Sequence, residues 1–105
     1  MGCPASVTIG DNLVFSVTTH DPDTGLLTDA SSAPTYRVYE AETATPILTG
    51  TMAQLDAANT TGFYTESINC TAAAGFEAGK IYTIYIEATV NGNLGAVTYN
   101  FSAAD

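Results

Sequence analysis

The 105-residue chain has no tryptophan, one histidine, two cysteines and two basic side chains, Arg37 and Lys80, against eleven acidic ones. Each scarcity removes a class of function. Two cations cannot assemble the positive footprint that phosphate binding needs, so a formal net charge of −9 argues against direct contact with nucleic acid. His20 alone cannot build a His-rich metal site, and no serine stands in a nucleophile-elbow sequence to form a triad with it. Two cysteines allow at most one bridge. No apolar run approaches the ~20 residues of a membrane-spanning helix. No basic segment followed by an apolar stretch opens the chain, so neither a membrane role nor signal-peptide processing is expected. What the chain does have is apolar content, 46% of residues, which excludes disorder. Its length suits one domain with a real core, burying roughly 60 to 68% of the unfolded surface.

The apolar residues recur with period two, and helical spacing never persists for three turns, which predicts an all-β domain. Short strands are expected at Val7 to Ile9, Leu13 to Thr19, around Tyr36 and Val38, Ile47 to Met52, Phe63 to Cys70, Ile81 to Val90 and Val97 to Phe101. His20 to Ala33 reads as a long loop opened by the turn residues Asp21-Pro22-Asp23-Thr24-Gly25. Ala53 to Asn59 is expected to hold a single helical turn. Asn91-Gly92-Asn93 carries hairpin chemistry, because tight hairpins require positive φ. About seven short strands separated by turns describe an immunoglobulin-like antiparallel β-sandwich, with a small barrel as the alternative. Tyr82 stands where such sandwiches carry a tyrosine corner, and Ile84 where antibody domains carry a cysteine. The expected organisation is an arm over residues 1–6, a domain over 7–102 and a tail over 103–105. The expected core includes Phe15, Val17, Val38, Tyr82, Ile84, Ile86, Tyr99 and Phe101, with Val97 also inward.

Candidate chemistry is thin. Cys3 and Cys70 are expected at opposite ends of the domain, too far apart to bridge, with Cys70 buried in phase with Tyr64 and Ile68. Asp21-x-Asp23-x-Gly25, with Asp29 downstream, has the spacing of the opening of a calcium loop but lacks its third close carboxylate and terminal glutamate. It reads as an ordinary turn, and no metal or cofactor is expected. Glu66 falls on the inward phase of its strand, which predicts a bulge or an open sheet edge there, because a buried carboxylate is costly. Met1-Gly2-Cys3-Pro4-Ala5-Ser6 fits the pattern for myristoylation, and Asn59, Asn69 and Asn100 head sequons; such short patterns arise by chance. One surface stands out. If the third and sixth strands are neighbours, Arg37, Tyr39, Ile81, Tyr85 and Glu87 share an outer face, a composition enriched at protein interfaces. An Arg37–Glu87 pair on a plain amphipathic face is the alternative. Cys3 and Pro4 in the arm form a second candidate contact.

Gly10-Asp11-Asn12-Leu13-Val14-Phe15, the acidic Asp21 to Gly25 loop, Pro34 to Glu40, Gly62-Phe63-Tyr64 and Gly79 to Ala88 together resemble short immunoglobulin-like proteins of tailed bacteriophages. The likeness runs roughly from Val7 to Ser102. It implies a non-enzymatic virion component with no catalytic residues. Chains of this kind serve as capsid decoration (cement) proteins or as accessory modules of head, neck, tail and fibre. Fibre and tail-tube modules are appended to longer chains, so a sequence running from Met1 to just past the last strand is expected to be a free-standing decoration protein. Its partner would be the major capsid protein or another virion protein, bound on the outer shell singly or as a homo-oligomer. The competing expectation is an adhesion module of a phage tail or bacterial surface, where Tyr39 or Tyr85 would stack on a sugar without help from tryptophan.

Overall fold

A computed structural model describes residues 2–41 and 43–105; Met1, the first residue of the expected arm and of the myristoylation pattern, lies outside them, as does Glu42. Among the described residues eight strands appear: β1 (Ser6–Thr8), β2 (Asn12–Thr18), β3 (Thr35–Glu40), β4 (Leu48–Thr51), β5 (Ala53–Gln54), β6 (Phe63–Asn69), β7 (Ile81–Val90) and β8 (Asn93–Ala104). They form two sheets, a five-stranded one in the order β1-β8-β7-β3-β4 and a three-stranded one in the order β2-β6-β5. All pairings between strands are antiparallel except β1 with β8.

The period-two pattern explains the layers. Leu13, Phe15 and Val17 of β2 with Tyr64 and Ile68 of β6 face Tyr36 and Val38 of β3, Tyr82, Ile84 and Ile86 of β7, and Phe101 and Ala103 of β8; all are buried in one cluster. Phe15 meets Tyr36 edge to face across the two sheets, with ring centroids 5.2 Å apart. At one end Phe76, from the loop after a single 3-10 turn (Ala72–Ala74), packs 4.9 Å from the Tyr82 ring. The Tyr82 ring is wholly buried, and its hydroxyl accepts a hydrogen bond from the Glu77 backbone N–H at 2.7 Å, five residues upstream.

Sequence and structure part in four places. The expected fourth strand divides at Met52, whose buried side chain and backbone bond to the Pro34 carbonyl mark the point where the chain leaves β3 and crosses to β6. Ala53–Gln54 is therefore strand; the expected helical turn is confined to Asp56 through Thr60, where the Thr60 N–H reaches the Asp56 carbonyl at 2.7 Å. The last strand starts four residues earlier than expected and runs through Ala104, because pairing with β7 carries Asn93 to Ala96 despite their weak strand preference. Its far end is held by β1, so Ala103 and Ala104 of the expected tail are strand, and Ala103 is buried. Finally, Val97 is 39% exposed although it shares the inward phase, since the three-stranded sheet does not reach over that part of the hairpin.

The long loop is tied down. His20 bridges Leu27, the Thr19 hydroxyl donates to the Thr28 carbonyl, and the Asp29 carboxylate accepts from the Gly62 N–H at 2.7 Å and from Gln54 Nε2 at 2.9 Å.

Candidate functional site

The outer face of the five-stranded sheet gathers the predicted interface residues. The register sets Arg37 opposite Tyr85 and Tyr39 opposite Thr83, while Ile81, at the start of β7, pairs with Ser102. The Arg37 guanidinium lies 5.0 Å from the Tyr85 ring centroid and forms a salt bridge with Glu87. An arginine held by an anion and an aromatic face loses less freedom when a partner covers it than a free one would. Ile81 is 55% exposed at one end of the same face. Around these groups the sheet presents Thr35, Thr49, Thr83, Thr89, Thr98 and Asn100, short uncharged side chains that leave the face flat. Tyr39 borders a shallow depression with Glu40, Thr43 and Thr83.

Cys3 and Pro4 lie elsewhere. The Gly2 backbone exchanges two hydrogen bonds with Ser16 of β2, and the Ala5 carbonyl accepts from the Ser102 N–H of β8, so the arm crosses from one sheet to the other. It closes the seam between them rather than standing free. Cys3 consequently packs, half-buried, against the core, while Pro4 is exposed. This corrects the expected placement of the thiols at opposite ends. Both are free. Burial pushes the Cys70 thiol up to about 11, with the nearby Cys3 adding to the shift. Burial also raises Cys3, and burial with Cys3 raises Tyr99, whose hydroxyl donates to the Ser16 carbonyl at 2.8 Å.

The acidic loop is spoken for by the fold. Asp21 accepts from the Asp23 N–H and, through its other oxygen, from Asn91 Nδ2 at 2.6 Å, whereas Asp29 binds Gly62 and Gln54. These carboxylates do not converge, and among the described residues no group of three His, Cys, Asp or Glu side chains could hold a metal ion.

Glu66 sits opposite Phe15 in a regular ladder without a bulge, just beyond the two β6 residues that β5 covers. The open edge is therefore the right one of the two expected causes. Its carboxylate accepts a hydrogen bond from Tyr36 Oη at 3.0 Å across the sandwich. Burial first, then this hydrogen bond and the charge of Glu66, push Tyr36 up to about 12. A phenol held protonated and donating to a carboxylate is a structural pair; a nucleophile or base would need the opposite shift. The pairing had a signal in the sequence, a glutamate and a tyrosine both on inward phases.

Two features escaped sequence reading because they depend on how the sheets overlap. One is the edge of β8 between Asn93 and Phe101, unpaired among the described residues, where β7 lies on one side and β1 begins only at Ser102. The other is an apolar groove of about 290 Å³ beside it, lined by Val17, Pro22, Ile86, Val90, Leu94 and Val97 among others.

The chain matches no protein-family profile, no curated protein and no solved structure.

Proposed function

We propose that this chain is an immunoglobulin-like β-sandwich that acts without catalysis as a structural virion protein of a tailed bacteriophage, decorating the outer capsid shell through the outer face of its five-stranded sheet. The Arg37–Tyr85–Glu87 assembly at the centre of that face carries the reading: an aromatic and a cation, fixed in advance within a broad, flat, uncharged surround, form the kind of centre on which protein interfaces concentrate their energy. The strand order, the parallel β1–β8 closure and the Tyr82 hydroxyl bound to an upstream backbone N–H support the immunoglobulin-like assignment. Cys3, Cys70, Tyr36 and Tyr99 are all shifted upward, which leaves each of them protonated at neutral pH. Sugar stacking on Tyr85 is disfavoured by the arginine already over its ring; Tyr39 remains the residue through which an adhesion role would work.

Rebinding of purified protein to capsids stripped of it tests the role. Tyr85→Ala or Arg37→Ala should cost on the order of 2 kcal/mol, about 30-fold in affinity. Capture by polysaccharide with indifference to empty shells would replace decoration by adhesion. Shell binding untouched by either substitution would move the contact off this face.

A further inference from the structure

We infer that the free edge of β8 and the groove beside it form a docking site for an extended, basic segment of a partner protein, which adds to the five-stranded sheet as a further strand. This site runs along the β8 border of the outer face above, using the backbone of Thr98 and Asn100 rather than their side chains, and does not rest on the decoration reading.

Three observations carry it. First, the backbone groups are there. Val90 and Asn93 close a two-residue turn, and the Ser102 N–H already points away from β7 to reach Ala5. By the alternation of an antiparallel ladder, Leu94, Ala96, Thr98 and Asn100 point their N–H and C=O groups the same way. Among the described residues nothing pairs with them. They present a strand template roughly 20 Å long at ~3.4 Å per residue.

Second, the edge lacks the usual protections. From Asn93 to Asn100 it carries no charge and no proline and pairs with β7 without a bulge, devices by which exposed edges ordinarily discourage added strands. Beside it the groove offers apolar walls, among them Val97, 39% exposed and on the same side of the hairpin as Ile86. A strand added here would drop alternate side chains into that groove, the division of labour seen in strand-addition recognition.

Third, charge selects the occupant. Arg37 and Lys80 are already paired with Glu87 and Glu40, so the remaining described carboxylates have no cation of the chain's own. Asp21 and the exposed Asp23 stand at the hairpin end of the groove, fastened there by the Asp21–Asn91 hydrogen bond. A second copy would bring another −9 to the same edge, whereas a partner segment with lysines or arginines beside an alternating apolar stretch meets complementary charge.

The probe is a fluorescent peptide, Thr-Val-Thr-Val-Thr-Val-Thr-Val-Lys-Lys, titrated at pH 7 and low salt, with amide exchange followed by NMR. On binding, the Leu94, Ala96, Thr98 and Asn100 amides should slow at least tenfold while those of Gly95, Val97 and Tyr99, already bonded to β7, change little. Thr98→Pro removes one outward N–H without touching the β7 ladder and should weaken binding at least tenfold. Gly95→Leu fills the groove, where a side chain meets open space, and should do the same. It serves where the proline variant does not fold. Replacing the two lysines by glutamates should also cost at least tenfold. No binding, protection without the alternating pattern, or equal affinity for the acidic peptide would overturn the inference. So would a wild-type dimer at pH 7 that Thr98→Pro dissolves, which would assign the edge to a second copy.

Discussion

Tyr36 shows how much one side chain can settle. Its ring covers Gly50 on the neighbouring strand, where an added Cβ would stand 2.5 Å from the hydroxyl, and its proton goes to Glu66 in the other sheet. Tyr36→Phe should therefore cost about 1 to 3 kcal/mol by denaturant unfolding, since a half-buried carboxylate loses its donor. Gly50→Ala should unfold the protein more easily still, because the ring must leave. Cys70 gives a prediction in pH. Its pKa is higher in the folded chain, about 11, than the ordinary thiol value of 9.0. Stability is then fully present below pH 9 and falls as pH rises through 11, the folded protein resisting loss of that proton. Cys70→Ala should flatten the fall over this window in an unfolding series. With intact protein at pH 8, a thiol reagent should find Cys3 first.

Among the elements, the β7–β8 hairpin dominates. Its turn places Asn91 at φ 49° and Gly92 at φ 81°, the paired positive angles of a two-residue turn whose twist matches the strands. Gly92→Val should cost on the order of 1 kcal/mol or more, read as a lower melting midpoint, because a β-branched residue resists that conformation. Within β7, Ile84 is fully buried between both neighbours and the opposite sheet, so Ile84→Ala should cost roughly 2 to 5 kcal/mol. Gly62 is the counterpart at the start of β6. At φ 68° it lets the chain pass so close to Thr19 that a Cβ would lie 2.7 Å from the Thr19 carbonyl. That contact, with the Asp29 bond to the Gly62 N–H, fixes the long loop onto the sandwich.

At the scale of the whole molecule, two sheets of unequal width meet in a body of 43 × 27 × 19 Å, so the wider sheet overhangs the narrower one and leaves a seam. The arm closes that seam at Ser16 and Ser102, and beyond it the β8 edge of the hairpin has no backbone partner among the described residues. Net charge is the remaining guard, since like charges keep copies apart at neutral pH. Near the isoelectric point of about 4.1 that repulsion disappears, and the uncharged β8 edge should then drive association. Light scattering should rise as pH falls from 7 towards 4, and Thr98→Pro should suppress the rise.

Alternation along β2, β3 and β7 was enough to assign the all-β class, the inward faces and most of the core, because burial on one side of a strand writes itself into every second residue. The Asn91-Gly92 turn was equally readable, since it depends on local chemistry. With β3 and β7 as neighbours, strand alternation alone places Arg37, Tyr39, Ile81 and Tyr85 on one face. What the sequence did not contain was the crossing at Met52, the reach of β8 to Ala104, the seating of Cys3 in the seam, and the free edge with its groove. Each of these depends on which strand lies beside which and how far one sheet covers the other. Backbone hydrogen bonds carry no side-chain signature, so an edge strand and a covered one can share the same pattern; only the packed sheets decide which N–H groups find partners and which are left for something else.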